Sequence, residues 1–473
     1  MFGGSLHPSR EMKGTGRTKT TKEKTPMQRR RASKSLTFGW EPFVASMKAA
    51  GRRIRMLTGV ALLVVLINIQ PVNPQSAPND SLKALQIGRS VRPTFSSPIT
   101  YGSGKDAWYI AAGDFRRPGI KDLVIANGFF ATLSFLPANG DGTFGSSRTI
   151  FSDPEQDSVT AVAVGDFNQD GTLDIVVVTG EDDVPQIRIL LGNGRGRFRQ
   201  SGQGSLPIGP GTFGPLERSI AVADFNTDGF PDVAVTHNSI SLVSVLLGDG
   251  TGQLSPRVDY SAANFPIGVI AGDFNLDGKI DLALLDQQSS IPPNQDGTTV
   301  LMFGRGDGGF DVPIQHDLGL NPNPIALATA DLNIDGLPDL VTIYKDPNCQ
   351  AGVCRFGSTL LGDGTGAFAQ QDFNFNFGNR LTPSMRALGV ADFNLDGRAD
   401  VAIADNTLSI PPRDFVYVLP GDGTGTFSGQ TMIQIGVSPV AIAVDDFNRD
   451  GKADIAVALS AAGAAVTLNT TAP

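Results

Sequence analysis

One phrase dominates the chain. GDFNQDGTLDIVV at 165–177 returns as ADFNTDGFPDVAV, GDFNLDGKIDLAL, ADLNIDGLPDLVT, ADFNLDGRADVAI and DDFNRDGKADIAV, after a degenerate first copy, GDFRRPGIKDLVI. The leading Asp falls at 114, 166, 224, 273, 331, 392 and 446, so successive copies stand 49 to 61 residues apart. That is longer than a solenoid rung and suits a four-stranded propeller blade with its loops. Gly (56) and Pro (31) are plentiful but follow no G-X-Y period, which excludes collagen and favours many short elements joined by tight turns.

Each unit reads as four strands. AVAVGDF and DIVVVT flank the Asp loop, and their alternation and β-branching indicate strand. A third run such as VSVLLGDG (243–250) leads into a glycine turn that recurs as NGDGTF, GNGRGRF, GDGTGQL, GRGDGGF, GDGTGAF and GDGTGTF, and a fourth strand follows it. The chain ends after a third strand, AAVTLNTT (464–471). The missing fourth is expected at the front, where Phe95-SSPIT-Tyr101 copies the spacing of Leu254-SPRVD-Tyr260. The expected fold is therefore all-β: a seven-bladed propeller, closed by an N-terminal strand that completes the last blade and removes an open edge.

The loop pattern D-x-N-x-D-G-x-x-D is that of a hard-cation loop. Oxygen side chains stand at positions 1, 3, 5 and 9, a backbone carbonyl can serve from position 7, and Gly at position 6 permits the sharp turn. The expected ligands are Asp166, Asn168, Asp170 and Asp174; Asp224, Asn226, Asp228 and Asp232; Asp273, Asn275, Asp277 and Asp281; Asp331, Asn333, Asp335 and Asp339; Asp392, Asn394, Asp396 and Asp400; Asp446, Asn448, Asp450 and Asp454. Calcium takes six to eight such oxygens, whereas magnesium resists that much dehydration. The loop lacks the Glu at position 12 and the flanking helices of an EF-hand. In the first copy Arg116 and Pro118 replace Asn and Asp, so about six structural Ca2+ are expected, not seven.

DFNxDGxxD together with GDGTGxF resembles the FG-GAP and VCBS repeats, best known from the β-propeller of integrin α subunits. The resemblance covers about residues 90–472. It implies a seven-bladed propeller with calcium in the loops between first and second strands, and roles in extracellular recognition or adhesion. It identifies no ligand.

Antiparallel alternation puts the metal loops and glycine turns on one face and the remaining loops on the other. The second set varies, as in 286–299, 345–357 and 405–415 between strands 2 and 3, and 201–219 and 371–386 between blades. Binding residues are usually displayed on such loops. Six residues before each leading Asp, near the channel mouth on that face, stand Trp108, Thr160, Arg218, Ile267, Ile325, Arg386 and Val440; Trp108, Arg218 and Arg386 could receive a carboxylate or a sugar ring. Arg305-Gly306-Asp307 lies inside a glycine turn and reads as a turn variant. Cys349 and Cys354, the only two cysteines, are expected to form a local disulfide, and with three scattered His they cannot build a zinc site.

Charge divides the chain. Residues 1–55 carry 14 Lys and Arg against 3 acids; the rest carries 24 against 44, a net of 24 − 44 = −20. Such a surface argues against nucleic acid as a partner. Eighteen of those 44 acids belong to the six intact loops, and six Ca2+ would bring −20 to −8. Residues 1–46 form a basic low-complexity segment, untranslated if Met47 is the start. Arg52, Arg53 and Arg55, the apolar run 56–67 and a polar exit make 47–77 a signal peptide or short membrane anchor, with 78–89 a linker and 90–473 the propeller. The run is too short for a stable span, so membrane contact is expected only there.

The expected protein is a secreted, cell-envelope or periplasmic monomer. It binds extracellular protein or glycan through the face opposite the calcium loops and is not an enzyme. A propeller-based polysaccharide lyase or hydrolase, and a purely structural envelope protein, are the alternatives; no nucleophile-base pair or His cluster stands out to support the former.

Overall fold

The structure is a computed structural model and describes residues 92–472, apart from 105, 154–157, 181–184, 203–205, 208–218, 288–296, 320–322, 346–355, 375–383 and 407–413. The basic head, the export segment and the linker of the sequence reading lie outside these residues, as do both cysteines. Among the described residues no helix is long and apolar enough to cross a membrane.

Seven antiparallel sheets follow one another along the chain. Their first strands are Ala107–Gly113, Val159–Gly165, Ile220–Ala223, Pro266–Gly272, Asn323–Ala330, Met385–Ala391 and Pro439–Asp445. Each lies against the first strand of the next sheet, and the last returns to the first, so they form the innermost ring of a seven-bladed propeller. Blade 2 splits its outer position between Phe198–Gln200 and Leu206–Pro207, both paired with the third strand Gln186–Gly192.

Closure follows the expected route. Ile99–Tyr101 pairs antiparallel with Gly463–Thr467, with Ile99 opposite Val466 and Tyr101 opposite Ala464. The copied spacing extends to the aromatics: Tyr101 packs on Phe144 and Tyr260 on Phe310, each pair with centroids 5.4 Å apart. The last blade is thus held by chain segments about 370 residues apart, as when Thr467 Oγ1 donates to Ser96 O (2.7 Å).

The second strands depart from simple alternation. Asp174–Thr179, Asp232–His237, Asp281–Asp286, Asp400–Asp405 and Asp454–Leu459 are buried at every residue, because each strand is covered on both sides by neighbouring blades. Strands covered on both sides need continuous apolar, β-branched runs such as DIVVVT. The outer strands open most to solvent, as Val258–Tyr260 and Thr431–Gly436 do. Core clusters accordingly straddle blades: Phe115, Val124 and Phe135 of blade 1 meet Val162 and Val177 of blade 2. Fully burying a Phe of this kind stabilises by roughly 1.5–3 kcal/mol.

Candidate functional site

The two signature motifs meet across blades. The main-chain carbonyl at loop position 2 accepts from the glycine turn of the following blade: Gly252 N to Phe167 O (2.9 Å), Gly308 N to Phe225 O, Gly425 N to Leu332 O and Gly142 N to Phe447 O (each 3.1 Å). Blade 7 has no glycine turn, and there Asn469 Nδ2 donates to Phe393 O instead (2.8 Å). The ring at position 2 packs on the aromatic that ends the next turn, as in Phe225 with Phe310 (5.7 Å) and Phe447 with Phe144 (5.8 Å). At the closure Phe95 takes that part against Phe393 (5.9 Å). Glycine is dictated twice over in the turn. Gly366 sits at φ +83°, and a Cβ on it would stand 2.1 Å from the Phe303 ring of the preceding blade.

The Asp at position 9 ties loop to turn within a blade. Asp174, Asp232, Asp281, Asp339, Asp400 and Asp454 are fully buried. One oxygen of each accepts from the position-2 N–H, and the other from the third strand's end, as in Phe225 N (2.8 Å) and Gly248 N (2.7 Å) on Asp232. Burial pushes the carboxyls of Asp174, Asp232 and Asp454 up to about 7, Asp400 to about 8, and Asp281 and Asp339 to about 6, despite those hydrogen bonds.

Positions 1, 3 and 5 form the solvent-side cradle. In blade 2 Asp166 Oδ1 and Oδ2 accept from Asp170 N (3.0 Å) and Gly171 N (2.8 Å), Asn168 Oδ1 also accepts from Asp170 N (3.1 Å), and Asp170 Oδ1 accepts from Thr172 N (2.9 Å). The five other intact loops repeat this set. Position 6 has positive φ in every copy. Position 4 does too in the six intact loops, at Gln169, Thr227, Leu276, Ile334, Leu395 and Arg449, although none is glycine. A left-handed Ile or Thr is strained, and such strain gathers at ligand clamps. The position-4 side chain also reaches the next blade: Thr227 Oγ1 donates to Gly306 O (3.2 Å).

The cradle fits a hard cation by its donors, which are all oxygen, and by the repulsion between its carboxylates: burial, and then the charge of Asp170, push the Asp166 carboxyl upward. Among the described residues no cluster of three or more His, Cys, Asp or Glu stands ready for a metal. Asn supplies the donor at position 3, and the position-9 carboxylate accepts main-chain N–H groups, as positions 1, 3 and 5 also do.

The first loop is built differently. Arg116 donates to both oxygens of Asp122 (Nε at 3.0 Å, Nη2 at 2.7 Å) and to Ala138 O. Lys121 pairs with Asp114 (3.2 Å) and with Asp445 (3.4 Å) of blade 7. Burial pulls the Lys121 ammonium down, but Asp445 and Asp114 together hold it above its ordinary value. Both surviving carboxylates of this loop therefore have a cation of the chain's own.

On the opposite face the variable loops lie largely outside the described residues, Arg218 among them, but their roots are described. The sixth residue of the second strand is buried and polar in six blades: Asn127, Thr179, His237, Asp286, Tyr344 and Asp405. Several of these hold loop main chain. Asp286 accepts from Phe265 N (2.7 Å) and Asn264 N (2.9 Å), and Asp405 from Ser384 N (2.8 Å). In blade 3 His237 Nε2 lies 2.9 Å from Ser244 Oγ, which donates to Asp259 (2.6 Å); Ser244 is fully buried. Sequence reasoning missed this ring, whose signal was a polar residue ending an otherwise apolar run.

The residues picked at the channel mouth coincide with β-bulges. First-to-second strand registers skip Trp108, Thr160, Ile267, Ile325, Arg386 and Val440. A bulge re-aims its side chain. Arg386 is exposed. Trp108 is only 5% exposed, so the expectation that it offers its ring to a ligand is corrected: the indole lies flat under Gly128, whose absent Cβ would stand 1.9 Å from it. Arg305-Gly306-Asp307 is a turn, with Arg305 bonded to Asp311 (2.8 Å) and Asp307 accepting from Gly309 N (2.9 Å).

Residues 118–177, 166–235, 224–284 and 392–457 match the FG-GAP-like repeat family. No curated protein matches the chain. Among solved structures, a functionally unknown protein from Desulfotomaculum acetoxidans DSM 771 is similar at 13% identity and TM-score 0.46, covering 74% of this chain and 89% of its own. The GH74 xyloglucanase from Xanthomonas campestris is similar at 12% identity and TM-score 0.48, covering 78% of this chain and 52% of that one. The α-L-arabinofuranosidase Arb93A from Fusarium graminearum, in complex with an iminosugar inhibitor, is similar at 13% identity and TM-score 0.44, covering 72% and 98%.

Proposed function

Since the chain carries FG-GAP-like repeats in a seven-bladed β-propeller, we propose that it is an exported, non-enzymatic recognition module. Calcium in six loops stiffens the ring, and the opposite face binds an extracellular protein or glycan. The observation that carries this reading is the contrast between faces. One is uniform and made of interlocked loops and turns; the other carries nearly all the length and sequence variation, rooted on buried polar strand ends. Variation on a rigid frame is how binding loops are commonly presented.

Calcium would be held by the Asp, Asn and Asp of positions 1, 3 and 5 in blades 2 to 7, and when bound would supply positive charge that neutralises their mutual repulsion. Because position 4 leans on the next blade, as Gln169 does on Gly229 and Thr227 on Gly306, ordering a loop orders a joint between blades. Arg386, exposed on its bulge at the channel mouth, is the described residue best placed to meet a carboxylate or sugar ring.

The test is thermal unfolding of the chain with calcium and with chelator, with an elemental metal count, followed by binding to arrays of glycans and cell-surface proteins. About six ions, a calcium-dependent rise in melting temperature and a ligand lost in Arg386→Ala are expected. No metal and no shift would end the calcium reading. Turnover of a polysaccharide would replace recognition by catalysis.

A further inference from the structure

The interlock of blades 1 and 2 differs from all others in the sign of its charge. The first loop brings Arg116, Arg117 and Lys121, the outer strand of blade 1 begins at Arg148, and the facing turn of blade 2 is GNGRGRFR, with Arg195, Arg197 and Arg199. Seven of the 24 Lys and Arg after residue 55 therefore gather at one joint of seven, on a body whose net charge is −20.

These side chains share one small region. Arg148 Nη2 donates to Gly196 O, between Arg195 and Arg197. The stem of Arg116 lies by the same glycine, 3.0 Å from where a Cβ would stand. The Arg116 and Arg148 guanidiniums both lie near the Phe135 ring, at 5.9 and 4.7 Å from its centroid. Burial, then repulsion from Arg116 and Arg197, lowers the Arg148 pKa. Arg116 and Lys121 have carboxylate partners. Arg117, Arg148, Arg195, Arg197 and Arg199 form no ion pair among the described residues, and all five are exposed. Asp122 attracts Arg148 and Asp170 attracts Arg199, but the seven crowded cations outnumber these carboxylates, and such crowding raises the energy of the free protein and is relieved by an anion. Guanidinium forks suit planar carboxylates and sulfates.

We propose that this joint binds a compact polyanion, a short run of carboxylate or sulfate groups such as an acidic saccharide carries, on the face opposite the variable loops. A long polyanion is disfavoured because the neighbouring loops of the same face are acidic. The site is independent of the variable-face ligand.

The test is titration of the whole chain with a short oligogalacturonate, a heparin oligosaccharide and a single-stranded oligodeoxynucleotide of matched charge, at low and at physiological salt. At least one saccharide should bind, and more weakly as salt rises; which one binds separates carboxylate from sulfate. Arg195→Thr with Arg197→Gln recreates the turn of blade 3, where Thr251 and Gln253 stand, and so should fold. It should lose about tenfold or more in affinity. Arg257→Ser, on blade 3 and paired with Asp259, should lose none. If the double variant melts lower than the parent, Arg199→Ser alone should still weaken binding. Absence of saccharide binding, unchanged affinity in the variants, or tighter binding of the nucleotide would overturn the proposal.

Discussion

The first loop and the six that follow solve one electrostatic problem in two ways. Each must hold a fully buried Asp at position 9 beneath a solvent-side Asp at position 1. The first does so with covalently attached cations, Arg116 on Asp122 and Lys121 on Asp114. The other six add a second exposed carboxylate and an Asn, which crowds negative charge, and they hold position 4 in a left-handed backbone. Residue 117, the equivalent in the first loop, is not among the positive-φ residues. Strain and charge crowding thus occur together where a divalent cation is proposed, and both are missing where the chain supplies its own. The comparison teaches that the loop is a joint between blades first, and that the proposed cation would be one of two ways to neutralise it.

The largest effect should come from what the two kinds share. Asp232→Ala strips the acceptor from two buried N–H groups, Phe225 and Gly248, at about 1–3 kcal/mol each. Asp122→Ala removes the acceptor of Ala138 N and leaves Arg116 without its carboxylate. Both should cost about 4 kcal/mol in urea unfolding, with or without chelator. A loss for Asp232→Ala that vanished in chelator would show that position 9 acts through metal and not through the main chain.

Next comes the difference itself. A ligand that binds only the folded state at a hundred times its Kd stabilises by about 2.7 kcal/mol. Asp277→Ala should therefore lower the ion count by one and remove about that much calcium-dependent stability. Asp114→Ala should leave the count unchanged. If both lost an ion, the first loop would be a metal site despite Arg116.

Much of this is legible in the sequence alone, and the limits are physical. Spacing alone placed the blades and the closing strand, because Phe95 and Tyr101 repeat the intervals of Leu254 and Tyr260. Arg116 in the first loop was enough to set that loop apart. What a single repeat could not reveal is that its loop docks on the turn of the next, since the partners Phe167 and Gly252 lie 85 residues apart by number. Position 9 reads like positions 1 and 5, because buried and exposed Asp are spelled alike; only the fold shows that it lies beneath them. Trp108 looked available because nothing in its neighbourhood announced that Gly128 would be laid over it.

A smaller effect should appear in pH. The position-9 carboxyls of the six loops have folded pKa values of about 6 to 8, raised above the ordinary Asp value of 3.8. A raised folded pKa means that the folded state holds the proton more tightly, so this stabilisation is complete below pH ~4 and is lost as pH climbs through 6 to 8. In chelator the urea midpoint should therefore rise on going from pH ~8.5 to ~5.5. With calcium the trend should flatten or reverse, because protons compete with the ion for the same loops. Identical pH profiles with and without calcium would separate the buried Asp from the cation altogether.

The smallest effect should be relief of strain. Ile334, β-branched and 57% exposed, sits at φ 63° in an intact loop. Ile334→Gly removes the Cβ that makes this conformation costly, at the expense of contact with the next blade's turn at Gly423 and of greater freedom in the unfolded chain. Left-handed strain in a non-glycine residue is worth about 1–3 kcal/mol, and the lost freedom offsets up to about 1 kcal/mol of that. A net gain of about 1 kcal/mol is expected in chelator. Arg117→Gly, which has no left-handed φ to relieve, should be neutral or slightly destabilising. Were both substitutions to destabilise alike, the left-handed position 4 would be an ordinary turn, and the distinction between the two kinds of loop would rest on charge alone.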